Sequence, residues 1–134
     1  MNRIIVFPKR IILILFVIIM CYSCDIDISK EDLITTNKSL TIIVKDSTFK
    51  TISETKILPY SPKYNKLNDW LKANTKGWEN SPVSYMPRIY ISSEKYRLLI
   101  VNNGAVISYT DKNGKVRQLA KRVKNDEFKF LLEL

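Results

Sequence analysis

Twelve consecutive uncharged residues, Ile11–Tyr22, come after a basic start made by Arg3, Lys9 and Arg10 and are closed by Ser23-Cys24-Asp25. A bilayer-spanning helix needs about 20 apolar residues, whereas the apolar core of an export signal needs about 7 to 15. The run therefore reads as an export signal, with Ser23 the small residue a signal peptidase accommodates. The alternative is an uncleaved helix over about residues 4–22, against which Pro8-Lys9-Arg10 set a break and two charges. Any folded domain has to be built from the residues beyond Cys24.

The stretch Cys21-Tyr22-Ser23-Cys24 resembles the lipobox of bacterial lipoproteins. The resemblance covers the signal region alone, and it departs from the usual pattern at Cys21, where Leu is commonest, and at Tyr22, where a smaller residue is usual. It implies that Cys24 is acylated and becomes the first residue after cleavage, so that the chain is held to a membrane and faces the periplasm or the outside. Asp25 resembles the inner-membrane retention signal of enterobacterial lipoproteins; other bacterial groups sort differently, so both membranes stay open. With Cys21 removed and Cys24 acylated, no thiol remains for a disulfide, and the fold has to hold by packing.

Removing residues 1–23 leaves 111, enough for one domain that buries somewhat under 70% of its unfolded surface. The signal takes three of the 22 basic residues and none of the 13 acidic ones, which leaves a net charge of +6. Such a charge favours phospholipid headgroups, cell-wall polymers or acidic proteins as partners. Outside the cytoplasm, nucleic acid is not expected among them. Histidine is absent, which removes the commonest general base, the Ser-His and Cys-His dyads and every His-containing zinc site. With no catalytic, metal or cofactor motif, the expectation is a protein that is not an enzyme and needs no cofactor.

Residues 24–39 are polar, contain no glycine or proline, and read as a tether with a root-mean-square span of about 20 Å. The Asp25-Ile26-Asp27-Ile28 alternation leaves an edge strand as the alternative. Residues 40–134 are expected to form a single α+β domain. Leu40–Val44 is a short β-branched run before a turn, and a second strand is expected around Thr51–Ile57. Ser61-Pro62 is a helix start, a hydroxyl cap with proline next to it at the first helical position. Tyr64, Leu67, Trp70 and Leu71 then form one apolar stripe, and Gly77 is placed to end the helix. The expected helix is Pro62–Lys76, with Lys63, Lys66 and Lys72 facing water.

Arg88–Ile91, Tyr96–Val101, Ala105–Thr110 and Lys115–Lys121 are strand-length runs, with hairpin signals at Asn102-Asn103-Gly104 and Asp111–Gly114. Asn125 can cap a short helix over Asp126–Leu134, whose stripe is Phe128, Leu131 and Leu132. The order of elements gives a mostly antiparallel sheet of four to six strands with one helix packed on it and a short C-terminal helix.

Two features point to a partner. The segment Gly77–Pro87 carries Trp78 and Tyr85 and two prolines, a loop or edge strand of the kind that presents aromatic side chains to a ligand. Lys112–Lys124 holds Lys115, Arg117, Lys121 and Arg122 with no acidic residue, which reads as a basic patch or as a solvated edge hairpin. Asp69 and Glu79 are the only carboxylates near the aromatic segment, and an ion pair with Lys66 or Lys72 is the simpler role for Asp69. The expected function is a lipid-anchored envelope protein that binds another protein, in its concrete form an inhibitor or immunity protein. A structural or assembly component of the envelope, contacting lipid or cell wall, is the alternative.

Overall fold

The computed structural model describes residues 26–33, 37–124 and 126–132. Cys24, the signal and the capping role of Asn125 lie outside these. The strand-forming runs give β1 (Leu40–Lys45), β2 (Thr51–Ile57), β3 (Glu79–Asn80), β4 (Ile89–Ser92), β5 (Tyr96–Val101), β6 (Gly104–Thr110) and β7 (Val116–Arg122). They form one antiparallel sheet in the order β2-β1-β4-β5-β6-β7-β3. Among the described residues two helices accompany it, α1 (Lys30–Leu33) and α2 (Pro62–Ala73), with a 3-10 turn at Lys129–Leu131. The class is α+β, as expected. The sheet exceeds the expected count through β3, two residues on the aromatic segment that pair Glu79 with Ala120 and Asn80 with Leu119.

Alternation puts one face of the sheet in the core. Ile42, Ile91, Leu98, Ile107 and Leu119 lie in register across five neighbouring strands, and all are buried. Over this face packs α2, whose stripe of Tyr64, Leu67 and Leu71 is buried together with Asn68. The Ser61 hydroxyl accepts the Tyr64 N–H at 3.3 Å, the cap its sequence predicts. The helix stops at Ala73, short of the expected Lys76, because Asn74 folds back on it. The Asn74 side chain donates to the Trp70 carbonyl at 3.0 Å, and the Lys121 ammonium donates to Asn74 Oδ1 at 3.0 Å and to the Lys76 carbonyl at 2.8 Å. A cation thus closes the negative end of the helix. Gly77, at φ 75°, turns the chain beyond that point and does not itself end the helix.

Three expectations about the ends are corrected. The segment read as a tether is docked from Ile26 onward. Ile26 donates its N–H to the Trp78 carbonyl and Ile28 to the Thr75 carbonyl, both at 2.8 Å, and Ile28 and Leu33 are buried. Burial of two large aliphatic side chains, about 1.5–3 kcal/mol each, acts with the two main-chain hydrogen bonds to dock the segment. The Asp-Ile alternation forms a single bridge to Trp78, not a strand. At the other end, the C-terminal helix is a turn and a 3-10 turn in which Phe128 and Leu131 are buried but Leu132 is exposed. It is held by Glu127, which accepts the Trp70 indole N–H at 2.7 Å and the Lys124 N–H at 3.0 Å. Finally Lys63 does not face water alone: its ammonium donates to the Leu131 carbonyl at 3.4 Å.

The connection from β3 to β4 crosses the opposite face of the sheet. It must pass β7, β6 and β5, about 19 Å at the usual strand spacing, which its eight residues Ser81–Arg88 can span with slack, since they reach about 26–29 Å when extended. Gln118 straps it down by donating to the Ser81 carbonyl at 2.6 Å and the Val83 carbonyl at 2.7 Å. Val106, on that outer face, is buried.

Candidate functional site

A half-open groove of about 1040 Å³ lies on the core face of the sheet. It exists because of what β2 places inward. Thr55 stands opposite Ile42 and Ser53 opposite Val44, so the edge strand supplies short side chains where a large one would have covered the core. Of α2, only Lys63 reaches the groove. The floor is Ile42, Val44, Ile89 and Ile100, with Ile57 at one end and Leu131 at the side. At the other end, where the strands finish, stand Lys45 and Arg88. An apolar floor with a few polar groups at one end is the common form of a binding cleft.

The lining at the strand ends holds Lys45 and Arg88 together with Asp46, and Arg88 acts electrostatically on the Asp46 carboxylate. Neither Lys45 nor Arg88 forms a salt bridge among the described residues. The nearby Asp46 is committed to the β1–β2 turn, accepting the Thr48 N–H and hydroxyl at 2.7 Å and the Lys50 N–H at 3.0 Å. The Thr48 hydroxyl above all, then the Lys50 amide, holds its carboxyl below the ordinary value. The same turn recurs between β6 and β7. There Asp111 accepts the Asn113 and Lys115 N–H groups, and its carboxyl is lowered, chiefly by the Lys115 amide. Both turns need a left-handed residue at their fourth position. The β6–β7 turn has Gly114 there, at φ 77°, whereas the β1–β2 turn has Phe49, at φ 61°.

A side chain in that conformation costs about 1–2 kcal/mol. Phe49 is 40% exposed, so little burial offsets the cost. Phe49→Gly is therefore expected to stabilise the domain by about 1 kcal/mol in urea unfolding, less the entropy glycine adds to the unfolded chain. Strain kept beside an apolar groove is of the kind that accompanies function.

The carboxyls of Asp46, Asp111 and Glu127 are all lowered, Glu127 by the Lys124 amide first and then by the Trp70 indole. A carboxyl more acidic in the folded than in the unfolded chain adds stability above its ordinary value of 3.8 for Asp or 4.5 for Glu. That contribution is lost as pH falls through the lowered folded value. With no histidine, the melting temperature is expected to be flat from about pH 6 to 8 and to fall below about pH 4. A midpoint that moved by several degrees between pH 6 and 8 would contradict this.

The residues singled out from the sequence are dispersed. Trp78 is fully buried. Its indole N–H donates to the Asn74 carbonyl at 2.6 Å and its ring meets Trp70 edge-on at 6.4 Å, so it is a core residue and not a contact for a partner. Tyr85 is half-buried, its hydroxyl bonded to that of Ser81. The basic hairpin does not form one patch. Lys115 is exposed beside the turn, Arg117 binds Asp111 at 3.1 Å, Lys121 is occupied at the end of α2, and Arg122 lies on the outer face. Strand alternation divides them, since neighbours in sequence point to opposite faces. Tyr85, Lys121 and Arg122 do meet at the border of a second hollow of about 620 Å³.

Asp69 pairs with Lys72 at 3.8 Å on the surface of α2, and Glu79 lies on β3. Among the described residues, no group of three or more His, Cys, Asp or Glu could hold a metal ion, and no helix is long and apolar enough to cross a membrane. Sequence reasoning missed Lys45, Arg88, Ser53 and Thr55. The available signal was two small hydroxyl residues at the inward positions of a strand beside an isoleucine-rich one. No protein-family model, curated protein or solved structure matches this chain.

Proposed function

We propose that this chain is a lipid-anchored protein of the bacterial cell envelope that works by binding another protein, in its concrete form an inhibitor or immunity protein that covers the active site of a toxin or hydrolase. The observation that carries the binding role is the half-open groove of about 1040 Å³, whose floor is apolar and whose lining includes Lys45 and Arg88, neither of them in a salt bridge among the described residues. An apolar floor already in place is where a partner's anchoring side chain can bury most surface. The envelope address rests on the basic start, the apolar run and the lipobox-like Cys24. Since the domain begins to pack at Ile26, a lipid on Cys24 would hold it against the membrane with almost no slack.

The experiment is extraction from membranes under native conditions, comparing the natural chain with Cys24→Ser. A stoichiometric protein partner on the natural chain, with membrane retention lost in the variant, is the expected result. A chain that stays membrane-bound without Cys24 and carries no protein would overturn the proposal.

A further inference from the structure

We infer that one corner of the domain, made by residues 26–28, the chain that follows α2 and the start of β3, lies in the lipid headgroup layer, with the groove held on the far side of the sheet and clear of that layer. This rests on the lipid-anchor proposal above.

The docked start of the chain fixes the corner. Ile26 donates its N–H to the Trp78 carbonyl and Ile28 to the Thr75 carbonyl, both at 2.8 Å, and Ile28 and Leu33 are buried in the core. Beyond them α1 packs on α2 and β6, so the segment is held at several points and cannot swing as a tether would. Cys24 stands two residues before Ile26, and two residues span at most about 7 Å whatever path they take. Acyl chains on the Cys24 sulfur lie in the bilayer, which keeps Ile26 at the headgroups. Trp78 directly precedes β3, the last strand of the sheet, and Thr75 follows the end of α2 by two residues. Both are bonded to the anchored segment and are carried to the membrane with it.

The rest of the sheet leads away from that corner. In the order β2-β1-β4-β5-β6-β7-β3, β2 stands six strand spacings from β3, about 29 Å along the sheet. The groove is walled by β2 and floored by β1, β4 and β5, so it belongs to the half of the sheet that the anchor does not reach. Charge does not place the corner: the exposed Asp27 and Glu79 offset the exposed Lys76 and the Lys121 ammonium that binds the Lys76 carbonyl. The short link to Cys24 sets the contact instead, and it needs no anionic lipid. A protein partner then meets the groove from the aqueous side.

The test uses the full acylated chain, whose natural thiols leave with the signal or carry lipid. Lys76→Cys and Glu79→Cys at the corner and Ser53→Cys on the groove wall, all at exposed positions, each receive one bimane fluorophore. The proteins are placed in phosphatidylcholine vesicles that carry a nitroxide quencher on the headgroup. Quenching at positions 76 and 79 is expected to be at least about threefold that at position 53. Inserting about 20 Gly and Ser residues between Asp25 and Ile26, a coil of about 25 Å, should remove the difference. Two corner positions keep the comparison available if one substitution disturbs folding. Equal quenching at corner and groove, stronger quenching at position 53, or a difference that survives the inserted linker overturns the inference while the anchor stands. A chain with no acyl mass that stays in solution, unquenched at every position, overturns the anchor as well.

Discussion

Trp78→Ala is expected to remove about 3–5 kcal/mol of folding stability, a large share of the roughly 5–15 kcal/mol that a domain has. The side chain is fully buried at the point where three distant segments meet. Its ring stands edge-on to Trp70, which lies 4.6 Å from Phe128, so the indole links α2 to the C-terminal turn. Its indole N–H satisfies the Asn74 carbonyl at the end of α2, and its own carbonyl receives the Ile26 N–H. Truncation leaves a cavity, an unpaired carbonyl and a loosened N-terminal segment together. In urea unfolding the midpoint should fall by about 2 M with little change in slope. A loss below about 1 kcal/mol would mean that the site collapses around the smaller residue and that Trp78 does not organise the core. Because the effect is on folding, partner affinity of the molecules that remain folded should stay as it was.

Thr55→Trp is expected to have the opposite profile, a large loss of binding with the fold intact. Thr55 is exposed, directly opposite Ile42, and on the groove wall. Tryptophan suits a strand, and its ring can occupy the groove beside Ile42 and the partly buried Val44. The domain should therefore melt at the same temperature or slightly higher. A partner that anchors in the groove loses its pocket, a cost of about 2 kcal/mol or more, or roughly 30-fold in affinity. Calorimetric titration paired with a melting curve separates the two effects. Unchanged affinity in a fully folded variant would move the partner away from the groove, with the outer hollow beside Tyr85 and Arg122 as the next surface to examine.

Local signals carry most of the secondary structure. The Ser61-Pro62 start is written in adjacent residues, and so are the two Asn- and Asp-rich hairpins that define the meander. The features that are not legible depend on contacts distant in sequence. Ile26 and Ile28 look like part of a polar tether until Trp78 and Thr75, some fifty residues later, supply their hydrogen-bond acceptors. Trp78 sits between a glycine and a polar run and looks like a loop residue, yet Asn74 and Trp70 enclose it. β3 has two residues and so no period to detect. The basic run from Lys112 to Lys124 is contiguous along the chain, whereas a strand sends its successive charges to opposite faces. The groove is half legible: Ser53 and Thr55 alternate visibly, but that they stand opposite Val44 and Ile42 and border a groove there is set only by the register with β1.

Native mass spectrometry of the protein extracted from its own membranes tests lipid anchoring and protein binding in one spectrum. The predicted result is a chain that begins at an acylated Cys24 and carries one stoichiometric protein partner, with the partner lost from Thr55→Trp and the acyl mass retained. A chain with no acyl group on Cys24 and no bound protein would contradict the anchor and the binding role together.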